Sequence, residues 1–194
     1  MEISKDLLIQ WGKELAKLHR STLSFKPDSK SNYLSVFDLL KETEEYLANE
    51  DEKIRHIFNE IKTWLSSLYK NMQNYKLTHG DHREANVLWD GKKITFIDFD
   101  EPVYNWFLAD IVRPFINLFE CNKKIPEELT FFLEGYQSVH LIDSASNTNL
   151  FYFARMKAME MYLWTKNIWK SETIPGGETQ DIWLKSLRRI IFIE

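Results

Sequence analysis

Only one of the 194 residues is a cysteine, Cys121. A lone thiol cannot close an intrachain disulfide, so nothing ties the chain to an oxidising compartment. No apolar run reaches the ~20 residues that a membrane-spanning helix needs. The start, Met1-Glu2-Ile3-Ser4-Lys5-Asp6, has no apolar signal core. These absences lead us to expect a cytoplasmic protein without a membrane partner. Basic excess is missing too. There are 25 Lys and Arg against 29 Asp and Glu, a formal net charge of −4, so broad electrostatic binding to nucleic acid is not expected. Glycine (6) and proline (5) are scarce, which disfavours a turn-rich β protein and favours long helices.

What is present has helical periodicity over most of its length. Leu7, Trp11, Leu15 and Leu18 recur on one helical face behind Ser4, a natural N-cap. A second helix is predicted over Ser31 to Ala48, and the mixed charges of Lys41 to Lys53 read as a solvated face and its loop. Ile54, Ile57, Phe58, Ile61, Trp64, Leu65 and Leu68 form the apolar stripe of a third. The pattern changes at Leu77-Thr78. Asn86-Val87-Leu88-Trp89 and Lys93-Ile94-Thr95-Phe96-Ile97 flank Asp90-Gly91, which predicts a β-hairpin. After Pro102 four helical segments are predicted: Trp106–Phe119, Glu127–Val139, Asn149–Trp169 and Gln180–Ile193, with Pro175-Gly176-Gly177 as a loop before the last. No linker or repeat divides the chain, so a single domain over 1–194 is expected: helix-dominated α+β with one small hairpin.

The hairpin carries the densest chemistry. His79-Gly80-Asp81 precedes it, Asn86 opens it, and Asp98 follows it. Two short antiparallel strands bring both ends to one place, so Asp81, Asn86 and Asp98 are expected around a small volume. A carboxylate and an amide oxygen are hard ligands suited to Mg²⁺, which keeps open positions for phosphate oxygens. A second carboxylate off the metal can take a proton from a hydroxyl. That combination suits phosphoryl transfer.

The segment His79-Gly80-Asp81-His82-Arg83-Glu84-Ala85-Asn86, with Asp and Asn five positions apart, resembles the catalytic loop of kinase-like phosphotransferases. Ile97-Asp98-Phe99-Asp100 resembles their metal-binding strand end. The match is to the aminoglycoside phosphotransferase and choline kinase superfamily. The resemblance implies the C-terminal lobe of a protein kinase-like fold, with Asp81 as catalytic base and Asn86 and Asp98 holding Mg²⁺ on ATP. It makes His79 and Asp110 structural supports of the loop. The implied partner is a hydroxyl-bearing small molecule or a protein Ser/Thr. Asp100 and Glu101 read either as acceptor contacts or as a solvated turn. Between Asp81 and Asn86 the sequence departs from the family's usual Leu-His-Pro-Gly.

No strand–Gly-rich loop–strand pattern with its lysine occurs, so the N-terminal β lobe that the family places before this segment is not found. The expectation is therefore a truncated phosphotransferase, a half-enzyme needing a partner lobe, or a catalytically incomplete binding or regulatory module. A third reading, a zinc hydrolase, rests on His79 and His82. The remaining groups read plainly. Cys121 is expected to be inert, His19 and His140 to be helix-end residues, and the aromatics from Phe151 to Trp169 to be core, with Trp164 or Trp169 as the alternatives for an acceptor pocket.

Overall fold

The computed structural model describes residues 3–28, 31–119, 124–142 and 146–193. Cys121 lies outside the described residues. Helix α1 (Lys5–Leu23) starts at Ser4, whose hydroxyl accepts the Leu7 N–H at 3.3 Å. Helix α2 (Val36–Thr43) opens with a reciprocal capping box between Ser35 and Asp38, and a short 3₁₀ segment, Glu44–Asn49, continues it. Helix α3 (Glu52–Ser67) is capped by Asp51, which accepts the Ile54 N–H at 2.9 Å. The strands follow: β1 (Tyr75–Thr78), β2 (Val87–Trp89), β3 (Ile94–Phe96) and β4 (Val103–Trp106). Then come α4 (Phe107–Val112), a 3₁₀ segment Arg113–Leu118, α5 (Glu127–Gln137), α6 (Asn147–Asn167) and α7 (Gln180–Ile191). The helix-dominated α+β fold expected from the sequence is the fold observed.

The hairpin β2–β3 pairs Val87 with Phe96 and Trp89 with Ile94. Gly91 takes φ +93°, and the Asp90 carboxylate accepts the Lys92 and Lys93 N–H groups at 2.8 and 2.7 Å. Leu88 and Trp89, consecutive on β2, are both exposed. A second antiparallel pair, β1–β4, escaped the sequence reading: Thr78 faces Val103 and Tyr75 faces Trp106. Val103–Trp106 is thus strand, and the predicted helix begins at Phe107 and tightens to 3₁₀ at Arg113. This pair sends the loops at 79–86 and 97–102 out from one end, with the hairpin between them.

Helix α6 is the centre of the domain. It is buried on most of its circumference, including Phe153, Ala154, Met156, Ala158, Met159 and Leu163. Helices α1 and α5 pack through two reciprocal glycines. A Cβ on Gly12 would sit 2.0 Å from the Phe132 carbonyl oxygen, and one on Gly135 would sit 1.9 Å from that of Ile9. The backbones can approach this closely only because both positions lack a side chain.

One stretch read as solvated is only partly so. Glu50 is buried, ion-paired with Lys166 at 2.7 Å, and accepts the Tyr162 hydroxyl at 3.2 Å. It ties the α2–α3 connection to α6. Among the described residues, no helix is long and apolar enough to cross a membrane.

Candidate active site

The loop that leaves β1 is organised by a buried carboxylate. Asp110, on α4, accepts the backbone N–H of His79 at 2.7 Å and of Gly80 at 3.1 Å. Its Oδ2 also accepts Nε2 of His19 at 3.0 Å, and His19 Nδ1 accepts the Tyr136 hydroxyl at 2.7 Å. Burial pushes Asp110 up, but the His19 bond and the other donors outweigh it and hold its pKa at about 2. Burial also lowers the pKa of His19, against the pull of Asp110. The consistent state is a neutral imidazole donating to an ionised carboxylate. His19 is therefore a buried relay between Tyr136 and Asp110, not a helix-end residue facing solvent. His140 likewise lies past the end of α5, donating Nε2 to the Gln73 carbonyl at 2.7 Å.

His82 is wholly buried, and both its ring nitrogens are engaged. Nε2 accepts from the Trp11 indole at 2.8 Å, and Nδ1 lies 2.8 Å from the Asp110 carbonyl. Indole N–H can only donate and a carbonyl can only accept, so the tautomer is the neutral Nδ1–H form. Burial takes the His82 pKa down to about 4. His82 has no nitrogen left for a metal; His79 Nε2 is directed at the Ile97 carbonyl at 3.0 Å, and its buried Nδ1 makes no hydrogen bond among the described residues. The zinc reading thus has no free His82 ligand. Among the described residues, no group of three or more His, Cys, Asp or Glu could hold a metal ion.

A pH dependence follows from His82. Its folded pKa lies below the ordinary 6.5, so the unfolded chain takes up the proton first as pH falls. Stability is full above about pH 6.5 and declines toward pH 4 by up to about 1.4 kcal/mol per unit. His19 acts with the same sign. Urea midpoints at pH 7, 6 and 5 should fall in that order, and less steeply in His82→Asn. Equal slopes in the two proteins would remove His82 from this account.

Gly80 follows His79 at φ +88°, and a Cβ there would lie 1.8 Å from the Glu101 carbonyl oxygen. The two loops press together at this glycine. Asp81 comes next, its side chain 22 % exposed. Its Oδ1 pairs with Arg113 at 3.0 Å; its Oδ2 pairs with Arg83 at 2.7 Å and accepts Asn86 Nδ2 at 3.2 Å. Asn86 Nδ2 also donates to the Asp81 carbonyl at 2.9 Å. The amide nitrogen of Asn86 is therefore turned toward Asp81, which leaves Oδ1 as a free acceptor. Arg113, largely buried on the segment after α4, had no signal in the sequence pattern.

Asp98 is placed beside Asn86 through the backbone: the Ile97 N–H donates to the Asn86 carbonyl at 3.1 Å. Asp98 adopts φ +67°, the left-handed region where non-glycine residues are uncommon and where local strain often marks a functional position. Its exposed carboxylate makes no hydrogen bond or ion pair among the described residues. Asp81 and Asn86 are thus in direct contact, and Asp98 joins them by chain geometry. The His79 ring lies 4.4 Å from that of Phe99, centre to centre, at a tilt of 33°.

Asp81 opens onto a cleft of about 1600 Å³, which Asp100 and Glu101 also line. Glu101 has its pKa raised by burial first and the Asp81 charge second. The cleft runs on to Trp164 and Trp169. Of the aromatics read as core, Phe151, Phe153 and Tyr162 are buried, whereas Trp164 is 47 % exposed.

Comparison with known proteins follows the same lines. The sequence profile of the phosphotransferase enzyme family matches residues 1–141. Amicoumacin kinase of Bacillus subtilis (strain 168) is 28 % identical over 97 % of this chain, which spans 58 % of that protein. An amicoumacin kinase solved in complex with AMP-PNP, Ca²⁺ and Ami superposes with a TM-score of 0.78 at 21 % identity, over 97 % of this chain and 59 % of that one. Choline kinase from Streptococcus pneumoniae superposes with a TM-score of 0.66 at 16 % identity, over 98 % and 65 %. The chain thus spans about three fifths of the length of these relatives.

Proposed function

We propose, because the chain belongs to the phosphotransferase enzyme family, that residues 1–194 act as one catalytic lobe in moving the γ-phosphoryl group of ATP to a hydroxyl. The observation that carries this reading is the contact of Asn86 with Asp81, which lines the cleft. A carboxylate has about four lone-pair sites. Arg113, Arg83 and Asn86 take three of those on Asp81, and the one left on Oδ1 is available to an acceptor hydroxyl. Asp81 orients that hydroxyl and accepts its proton as the new O–P bond forms and the bond to ADP breaks.

The donor set fits a hard divalent cation. Asn86 Oδ1 and the Asp98 carboxylate are both oxygens without a partner among the described residues, and two protein ligands suit an ion that keeps water and phosphate in its shell. These two residues would hold Mg²⁺. A cation held there would supply positive charge against the phosphates of the nucleotide. Asp110 and His79 fix the loop that carries Asp81. Glu101 and Asp100 face the acceptor side, where unpaired acidic charge favours an amine-bearing small molecule, in keeping with the relatives' names.

A nucleotide titration tests this. ATP is expected to bind only when Mg²⁺ is present, and Asp98→Ala to weaken that binding by about tenfold or more. Binding indifferent to both would overturn the reading. Silence up to millimolar ATP would favour a catalytically incomplete binding module, the alternative suggested by a chain spanning 58 % of its curated relative. A glycine-rich loop and lysine encoded upstream of Met1 would supply the other half of the clamp.

A further inference from the structure

Helix α6 is packed into the core, yet it carries a lysine inward. Lys157 stands between Met156 and Ala158, both buried, and its own side chain is only 9 % exposed. It lines the same cleft as Asp81. Its Nζ pairs with Glu160, one turn further along α6, at 2.8 Å. The same Nζ donates to the Gly80 carbonyl at 3.3 Å, and so joins α6 to the loop that carries Asp81.

Packing alone does not account for this lysine. Taking an ammonium out of water is costly, and a buried ion pair is often no more stabilising than apolar side chains of the same volume. Methionine fits this helix well, at 156 and again at 159. What the ammonium adds is a bond to one particular carbonyl. A peptide is planar, so the Gly80 C=O and the Asp81 N–H move together. Asp110 holds the two preceding peptide planes through the N–H groups of His79 and Gly80. The next plane, 80–81, is held from the other side by Lys157. It is also the plane that most needs holding. Gly80 sits at φ +88°, and without a Cβ its backbone is the least restrained in the loop.

The charges around this bond alternate. Asp81 pairs with Arg113, and the Glu160 charge acts on Arg113 as well. Glu160 pairs with Lys157, and the Lys157 charge acts on Glu101, opposing the rise in its pKa that burial and Asp81 cause. Lys157 thus stands against both loops where they press together at Gly80.

We infer that Lys157 is a positioning residue for Asp81: from α6 it fixes the Gly80–Asp81 peptide and so the direction in which the carboxylate meets a hydroxyl. What Asp81 does with that direction rests on the phosphotransferase reading, while the tether itself is a property of the fold. Lys157 moves no proton and contacts no reacting atom. Misdirecting a base costs rate and leaves nucleotide affinity intact.

Lys157→Met keeps the length of the side chain and removes both charge and donors. In ¹H–¹⁵N spectra the Asp81 amide should be displaced, whereas that of His79, held by Asp110, should stay. The thermal midpoint should remain within about 3 °C of the parent. Hydrolysis of Mg·ATP, with water in the place of the acceptor, should lose about 10–100-fold in kcat at an unchanged KM for Mg·ATP. Lys157→Arg keeps a charged donor and should recover kcat to within about fivefold. An Asp81 amide that does not move would overturn the tether. So would a lowered midpoint with amide shifts spread along α6, the mark of a packing role, or a Lys157→Arg protein as impaired as Lys157→Met. A raised KM with kcat intact would make Lys157 a nucleotide contact and overturn the positioning role. If the parent protein hydrolyses no Mg·ATP, the phosphotransferase reading of this chain fails by itself, and the Asp81 amide still decides whether Lys157 holds the loop.

Discussion

Asp81→Asn is expected to slow phosphoryl transfer by about 10²–10⁴-fold, the usual contribution of a positioned general base. The amide keeps the shape of the side chain and an oxygen for Arg113 or Arg83, so the loop should hold. What it loses is the basic oxygen proposed to take the hydroxyl proton. Alanine is the poorer choice here. It would leave Arg113, largely buried, without its carboxylate partner, and an uncompensated buried charge destabilises on its own account. Initial rates at saturating Mg·ATP, with ATP affinity measured in parallel, read the two effects separately. Affinity should persist, because the metal is assigned to Asn86 and Asp98. An Asp81→Asn protein with undiminished turnover would remove the base from the mechanism.

Asp110→Ala is expected to cost about 3–5 kcal/mol of folding stability. The substitution strands three buried donors: the His79 and Gly80 N–H groups and His19 Nε2. Against a typical total of ~5–15 kcal/mol, that is a large share, and the variant should unfold at a much lower denaturant concentration. Asp110→Asn should be nearly as damaging, since one face of its amide presents a donor to a donor. The carboxylate's pKa of about 2 is below its ordinary value, so its contribution is present above about pH 4 and is lost as pH falls through 2. A loss below about 1 kcal/mol in chemical denaturation would show that Asp110 is not the organiser of the loop.

These two aspartates illustrate what a sequence can and cannot disclose. Asp81 was legible because its neighbours are local: Asn86 is five residues on, and Asp90-Gly91 declares the hairpin that returns the chain to Asp98. The spacing of apolar residues likewise predicted α1, α3, α5, α6 and α7 to within a few residues of their bounds. The pair β1–β4 was not legible. Each strand is four residues long, and its partner lies nearly thirty positions away, so no local period marks either. Arg113 was invisible for the same reason: an arginine after a helix has no signature until the chain brings it to Asp81.

Histidines were the least readable residues. His19 and His82 sit on stretches that pattern alone assigns to a helix end and a polar loop, yet both are fully buried. Their states follow from Asp110, Tyr136 and Trp11, residues up to 117 positions apart in the chain. Glu50 is a similar case, a charged residue in a charged run that only packing against α6 reveals as buried.

The amino-acid order by itself determined the helices, the central hairpin and the oxygen-bearing residues at its ends, because periodicity, turn chemistry and motif spacing act over a few residues. Only the tertiary structure decided which nitrogens are spoken for, which charges are paired and which tryptophans face a cleft. Those properties are set by partners from distant segments, and the partners meet only when burial of the α6 core folds those segments together.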